Sequence, residues 1–80
     1  MEIVLDAKRF KGRTRAHAYL KEALHLPDYY GKNLDALYDC LCEMECEIEL
    51  INADEVDKDM IDTFTDAASA NDFLDFKIKR

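Results

Sequence analysis

Apolar positions along this 80-residue chain recur with two different periods, and the changes from one to the other mark out the elements. Met1, Ile3 and Leu5 share one face of a strand over residues 1–6. Ala7 to Arg13 is a polar, basic connection containing Gly12. Thr14 is placed to cap a helix from Arg15 to about His25, which must stop ahead of Pro27. Its apolar stripe is Ala16, Tyr19, Leu20, Ala23 and Leu24. Pro27 and Gly31 then mark an irregular loop, because proline fixes φ and glycine permits left-handed backbone. Asn33 is a good N-cap for a second helix reaching about Glu43, with Leu34, Leu37 and Leu41 on one face and Cys40 beside them.

Alternation returns at residues 46–51, where Cys46, Ile48 and Leu50 face one way and Glu45, Glu47 and Glu49 the other. Asn52 to Asp54 offers a turn and an N-cap for a third helix from Glu55 to about Asn71. Val56, Met60, Phe64 and Ala67 form its core stripe, Ile61 and Ala68 its margin, and Glu55, Asp59, Asp62 and Asp66 an acid stripe opposite. A last strand over 73–79 turns Leu74, Phe76 and Ile78 inward and Asp75, Lys77 and Lys79 outward. Helices between strands favour parallel pairing through right-handed crossovers. Parallel strands covered on both faces read as continuous apolar runs, and these do not. The pattern therefore predicts an α/β fold of two layers, a three-stranded parallel sheet with helices packed on one face.

Composition bounds the rest. The length suits one domain spanning 1–80, and two glycines and one proline leave no room for a linker. The net charge of −7 argues against nucleic acid as a direct ligand, since phosphate binding needs clustered Lys and Arg. It favours a basic protein partner, with the acid field steering the encounter. No stretch is long or apolar enough to span a membrane, and no membrane association is expected. Cys40, Cys42 and Cys46 are odd in number and unsuitably spaced for zinc, so free thiols in the cytoplasm are expected, with no metal and no cofactor. His17 and His25 have no companion at ligand or catalytic spacing and read as surface or helix-end residues. There is no Ser-His-Asp order and no phosphate loop, and a domain this small has little room for a deep pocket. No catalytic residue is assigned, and the chain is read as a binding protein rather than an enzyme.

The candidate surface lies on the second helix. Asp35, Asp39 and Glu43 fall at i, i+4 and i+8, with Tyr38 and Cys42 between them and the apolar face. Like charges so spaced weaken a helix by roughly 0.2–0.5 kcal/mol per pair. Asp35 is near the helix N-terminus, where the macrodipole favours it. Asp39 is a turn further in and gains little, so structure alone accounts for it less well. Acids beside Tyr29 and Tyr38 next to a glycine loop suit a basic partner.

The run from Leu26 to Leu41, LPDYYGKNLDALYDCL, resembles the signature of the barstar family, inhibitors of barnase-type ribonucleases. Its specific part is Tyr29-Tyr30-Gly31, then Asn33-Leu34-Asp35-Ala36-Leu37, then an aromatic at 38 and Asp39. Outside this run the likeness is one of pattern and length, but it extends from end to end. It implies a small three-stranded parallel sheet under a helical layer. It also implies a one-to-one complex with a small basic ribonuclease, in which carboxylates stand where RNA phosphates would, by a chain that is monomeric when free. By resemblance, the acid matching Asp39 enters the nuclease's catalytic centre, and Asp35 sits beside it. Tyr29 matches an aromatic that packs on a catalytic histidine of the nuclease. Gly31, Asn33, Tyr38 and Cys42 match other interface positions, and Asp66 does so by a looser alignment through Phe64 and Ala67. Position 38 is tyrosine where the family's type member has tryptophan, and position 42 is cysteine where that member has a hydroxyl side chain. The segment between the second strand and the last helix is too short for the family's extra short helix. An acidic binding module for a basic protein other than a ribonuclease, whether regulatory or a nucleic-acid mimic, would use the same surface.

Overall fold

β1 (Glu2–Asp6), α1 (Arg13–Ala23), α2 (Leu34–Leu41), β2 (Cys46–Ile51), α3 (Lys58–Ala70) and β3 (Leu74–Ile78) follow one another in the computed structural model. The described residues are 2–79, with the backbone alone for Arg13 and Glu55. Met1, expected on the inner face of β1, and the side chain of Glu55, expected in the acid stripe, lie outside the described residues. The three strands pair in parallel in the order β1-β2-β3. Their register brings like residues into rows across the sheet. Ile3, Ile48 and Phe76 form one row and Leu5, Leu50 and Ile78 the next, both turned towards the helices. The alternate rows are Glu2, Glu47 and Asp75, then Val4, Glu49 and Lys77. These lie on the uncovered face, where Val4 is half exposed. The two-layer α/β arrangement expected from the alternation is the one observed.

Leu5, Leu20, Leu37, Leu41, Ile48, Leu50, Phe64 and Leu74 are fully buried between the layers. Each such side chain stabilises the fold by about 1.5–3 kcal/mol. Phe64 of α3 stacks on Phe76 of β3, with ring centres 4.9 Å apart and planes at 16°. Thr63 is also buried on α3, its hydroxyl donating to the Asp59 carbonyl at 2.8 Å.

Several boundaries depart from the sequence expectation. α1 begins at Arg13, because the Gly12 carbonyl accepts from the Ala16 N–H at 2.9 Å. Gly12 is therefore the N-cap, at φ 84°, and Thr14 lies inside the first turn rather than capping it. Position 12 needs glycine for that left-handed backbone. The third helix begins at Lys58 rather than Glu55, with Asp57 at its N-cap and no side-chain cap bond. Asn52 is left-handed, at φ 57°, and its amide donates to the Asp6 carboxylate at 3.0 Å. It thus ties the ends of β1 and β2 instead of capping a helix. A single 3-10 turn, Ala53–Glu55, fills the short connection that follows.

His17 corrects another expectation. It is buried, 4% exposed, and its Nδ1 is hydrogen-bonded to the Tyr30 hydroxyl. Residues 17, 20 and 24 share a helix face, and Leu20 and Leu24 are core residues. His25 is exposed, as expected of a helix-end residue, but its backbone is left-handed at φ 53°. It occupies the C′ position of a Schellman motif. The Leu26 N–H donates to the Lys21 carbonyl at 2.9 Å and the His25 N–H to the Glu22 carbonyl at 3.3 Å. Left-handed backbone costs an L-residue roughly 1–2 kcal/mol, and glycine escapes that while losing more entropy on folding. His25→Gly is therefore expected to raise stability by about 0.5–1 kcal/mol, read as a higher urea midpoint at unchanged slope.

Candidate protein-binding surface

The loop before α2 separates its two tyrosines. A turn closes with the Tyr30 N–H donating to the Pro27 carbonyl at 2.9 Å. Tyr30 is 5% exposed and held by His17, so its neighbour Tyr29 is thrown outward and is 86% exposed. Burial pushes the Tyr30 phenol up to about 12, with Cys40 adding to the shift. It therefore stays neutral and anchors the loop across the physiological range.

Left-handed backbone in this loop falls on Lys32, at φ 54°, and not on Gly31 as the sequence suggested. At Gly31 the constraint is closeness to the Asn33 side chain, which a larger residue would push by a few tenths of an ångström. A β-carbon there would stand 3.1 Å from the Asn33 amide nitrogen and 3.6 Å from the Ala36 β-carbon. That amide donates to the Gly31 carbonyl at 3.2 Å, and the other atom of the same group, Asn33 Oδ1, accepts from the Ala36 N–H at 2.8 Å. The predicted N-cap is thus present, and it clamps the loop to the start of α2.

From that fixed start, Asp35 in the first turn and Asp39 one turn later are both exposed. Glu43 lies beyond the helix, which ends at Leu41 with Cys42 as its C-cap. Tyr38 is half-buried and is the meeting point of the surface. Its phenol is held above the ordinary value chiefly by a hydrogen bond with Cys42. The charge of Cys42, burial, and the Asp66 and Asp39 carboxylates add to this. Asp66 projects from α3, so the fold brings an acid of α3 to the acids of α2. Phe64 and Ala67 beside it are buried, which leaves Asp66 on the outer side.

Asn71 holds these two helices in place, and the sequence reading left it as a helix end. Its amide donates to the Leu41 carbonyl at 3.1 Å and the Met44 carbonyl at 2.7 Å, while its Oδ1 accepts from the Phe73 N–H at 3.0 Å. One side chain thus satisfies carbonyls at the end of α2 and the turn leading into β3. An asparagine at a helix terminus is the one sequence signal that could have pointed to it.

Among the described residues Asp35, Asp39 and Asp66 make no ion pair. Lys21 and Asp28, 3.7 Å apart, make the single ion pair among the described residues. Asp35, Asp39 and Asp66 therefore keep their charge for solvent or a partner. The surface offers acceptors and an exposed aromatic. Among the described residues no group of three His, Cys, Asp or Glu could hold a metal ion. No described helix is long and apolar enough to cross a membrane.

The three cysteines are free. Burial raises the Cys40 and Cys46 thiols, with Glu43 and Asp39 adding to the shift at Cys40. Both should react more slowly in the native protein than after denaturation, since the thiolate is the reactive form. A thiol titration without reductant is expected to count three groups in denaturant. Fewer than three would show that a disulfide forms.

Comparison with known proteins identifies a family. The sequence model of the family described as "Barstar (barnase inhibitor)" matches residues 1–78. A protein of Bacillus subtilis (strain 168) named "Putative ribonuclease inhibitor YrdF" is 50% identical over 40 residues. That match covers 50% of this chain and 44% of the relative.

Proposed function

This chain belongs to the barstar (barnase inhibitor) family, and from that premise we propose that it inhibits a barnase-type ribonuclease by covering its basic active-site cleft. The observation that carries this reading is the set of carboxylates with no ion pair among the described residues: Asp39 of α2 and Asp66 of α3, both acting on the Tyr38 phenol, and Asp35 one turn before Asp39. A ribonuclease cleft is basic because it binds phosphate. Carboxylates presented to that cleft form charge-assisted bonds to its Arg and Lys side chains, bidentate where Arg is met face on. Asp39 enters the catalytic centre with Asp35 beside it, and Tyr29 packs on a catalytic histidine of the nuclease. Gly31 and Asn33 present the loop backbone, Tyr38 and Cys42 form the middle of the contact, and Asp66 its flank. The complex is one to one, formed by a monomer without cofactor, and the surface meets protein rather than nucleic acid. The chain itself performs no catalysis. Its free thiols suit the reducing cytoplasm.

The test is a titration of the purified chain against a small basic ribonuclease of the barnase type. Activity is expected to fall to zero at one equivalent. The association rate should drop at least about tenfold between 0.05 and 0.5 M salt, because charges further apart than about 10 Å are screened already at 0.1 M. Retained nuclease activity at excess chain would defeat the ribonuclease reading. Binding without inhibition, or binding only to other basic proteins, would favour the general acidic module.

A further inference from the structure

Charge on this chain is segregated. Six of its eleven basic residues, Lys8, Arg9, Lys11, Arg13, Arg15 and Lys21, fall within residues 7–21, which hold none of the eighteen acids. The fold gathers them further. The 3-10 turn Ala7–Arg9 and the start of α1 bring Lys8, Arg9, Lys11 and Arg15 around one open groove of about 440 Å³, lined also by Tyr19 and Glu22. Among the described residues these four cations make no ion pair. Glu22 at the groove and the Asp6 carboxylate, held low chiefly by its Asn52 hydrogen bond and in part by Lys8 and Arg9, offset only part of their mutual repulsion.

The wall of the groove is preorganised. Arg9 lies over the Tyr19 ring, its guanidinium carbon 5.3 Å from the centroid. Phe10 packs on the same ring with centres 5.7 Å apart, and the Tyr19 hydroxyl accepts from the Asp6 N–H at 3.0 Å. Tyr19 thus fixes Arg9 to the end of β1. The groove shares no residue with the acidic surface, and inhibition of a basic nuclease gives no reason for a basic face.

We propose that this groove binds a compact anion carrying two or more phosphate groups, such as a nucleoside triphosphate or pyrophosphate. Two arginines and two lysines supply forked and point donors, the combination that phosphate oxygens take. The volume is ample for more than one phosphate and lies within the usual range of small-ligand sites, roughly 300–1,000 Å³. An extended nucleic acid fits poorly. The molecule measures 30 × 28 × 21 Å, and attraction fades over a Debye length of about 8 Å at physiological salt. A strand leaving the groove therefore runs onto surface that carries all of the acids but Glu22.

Amide spectra of the ¹⁵N-labelled chain, titrated at matched ionic strength with magnesium-free ATP, pyrophosphate, orthophosphate and a single-stranded RNA decamer, test this. ATP and pyrophosphate are expected to shift the amides of Lys8 to Arg15 and of Ala18 and Tyr19 saturably below millimolar concentration. Orthophosphate should bind at least about tenfold more weakly, having fewer oxygens to share among the four cations. Arg9→Ala with Arg15→Ala should weaken ATP binding at least about tenfold, and Lys11→Gln, which touches no ring, should weaken it severalfold without altering the fold. Absence of saturable shifts, or the same shifts from sodium chloride, would overturn the proposal. So would tighter binding of the RNA decamer than of ATP, which would make the groove a nucleic-acid track. Nuclease inhibition is measured separately and does not depend on any of these outcomes.

Discussion

Asp39→Ala is expected to raise the rate of dissociation from a basic ribonuclease at least about thirtyfold, equivalent to about 2 kcal/mol, the scale of an interface hot spot. Asp39 is exposed mid-helix, gains little from the macrodipole, and makes no ion pair among the described residues. Its removal relieves repulsion with Asp35 four residues before it, and alanine is the better helix former. Stability should therefore be unchanged or higher by a few tenths of a kcal/mol. Asp62→Ala is the matched control, because Asp62 is an exposed acid of α3 outside the gathered set. It removes the same charge. Both variants should lower the association rate modestly, since steering responds to the summed field. Asp39→Ala alone should change dissociation. Equal losses in a kinetic binding assay would leave only a diffuse acidic surface and defeat phosphate mimicry.

Asn71→Ala is expected to cost about 2 kcal/mol of stability, by urea unfolding, because it removes the side-chain donor from the Met44 carbonyl and from the Leu41 carbonyl, which keeps only the Met44 N–H at 3.2 Å. Asn71→Asp should be no better. It keeps the acceptor for the Phe73 N–H but turns a carboxylate towards two carbonyl oxygens. The functional readout is more telling than stability. Asn71 touches no surface acid, yet it fixes the end of α2, which carries Asp39, against the end of α3, which carries Asp66. Where the variant is still folded, the affinity for the nuclease should fall several-fold. A variant as stable as the parent, or one destabilised with affinity intact, would show that the clamp does not position the surface.

Much of the fold was legible from local spacing. A strand period of two places Ile48 and Leu50 inward and Glu47 and Glu49 outward whatever lies above them. The caps were legible only where a side chain reports on its own turn. Asn33 does so through the Ala36 N–H. Thr14 fails because Gly12 can take a left-handed backbone and start the helix earlier. Gly31 and Lys32 exchange roles for a related reason. Which residue of a loop turns left-handed depends on where Tyr30 is anchored, and that anchor is a buried histidine thirteen residues back.

By itself, then, the sequence determined the elements, the two-layer sheet and the acid row Asp35–Asp39, because helix and strand periods and charge spacing act over a few residues. The family likeness marked Asp66, but only packing decided that Asp66 and Asp39 share the field of one phenol. The His17–Tyr30 pair, the Asn71 clamp and the basic groove likewise join segments far apart in the chain. Such contacts depend on how the helices settle on the sheet, and no local pattern carries that information.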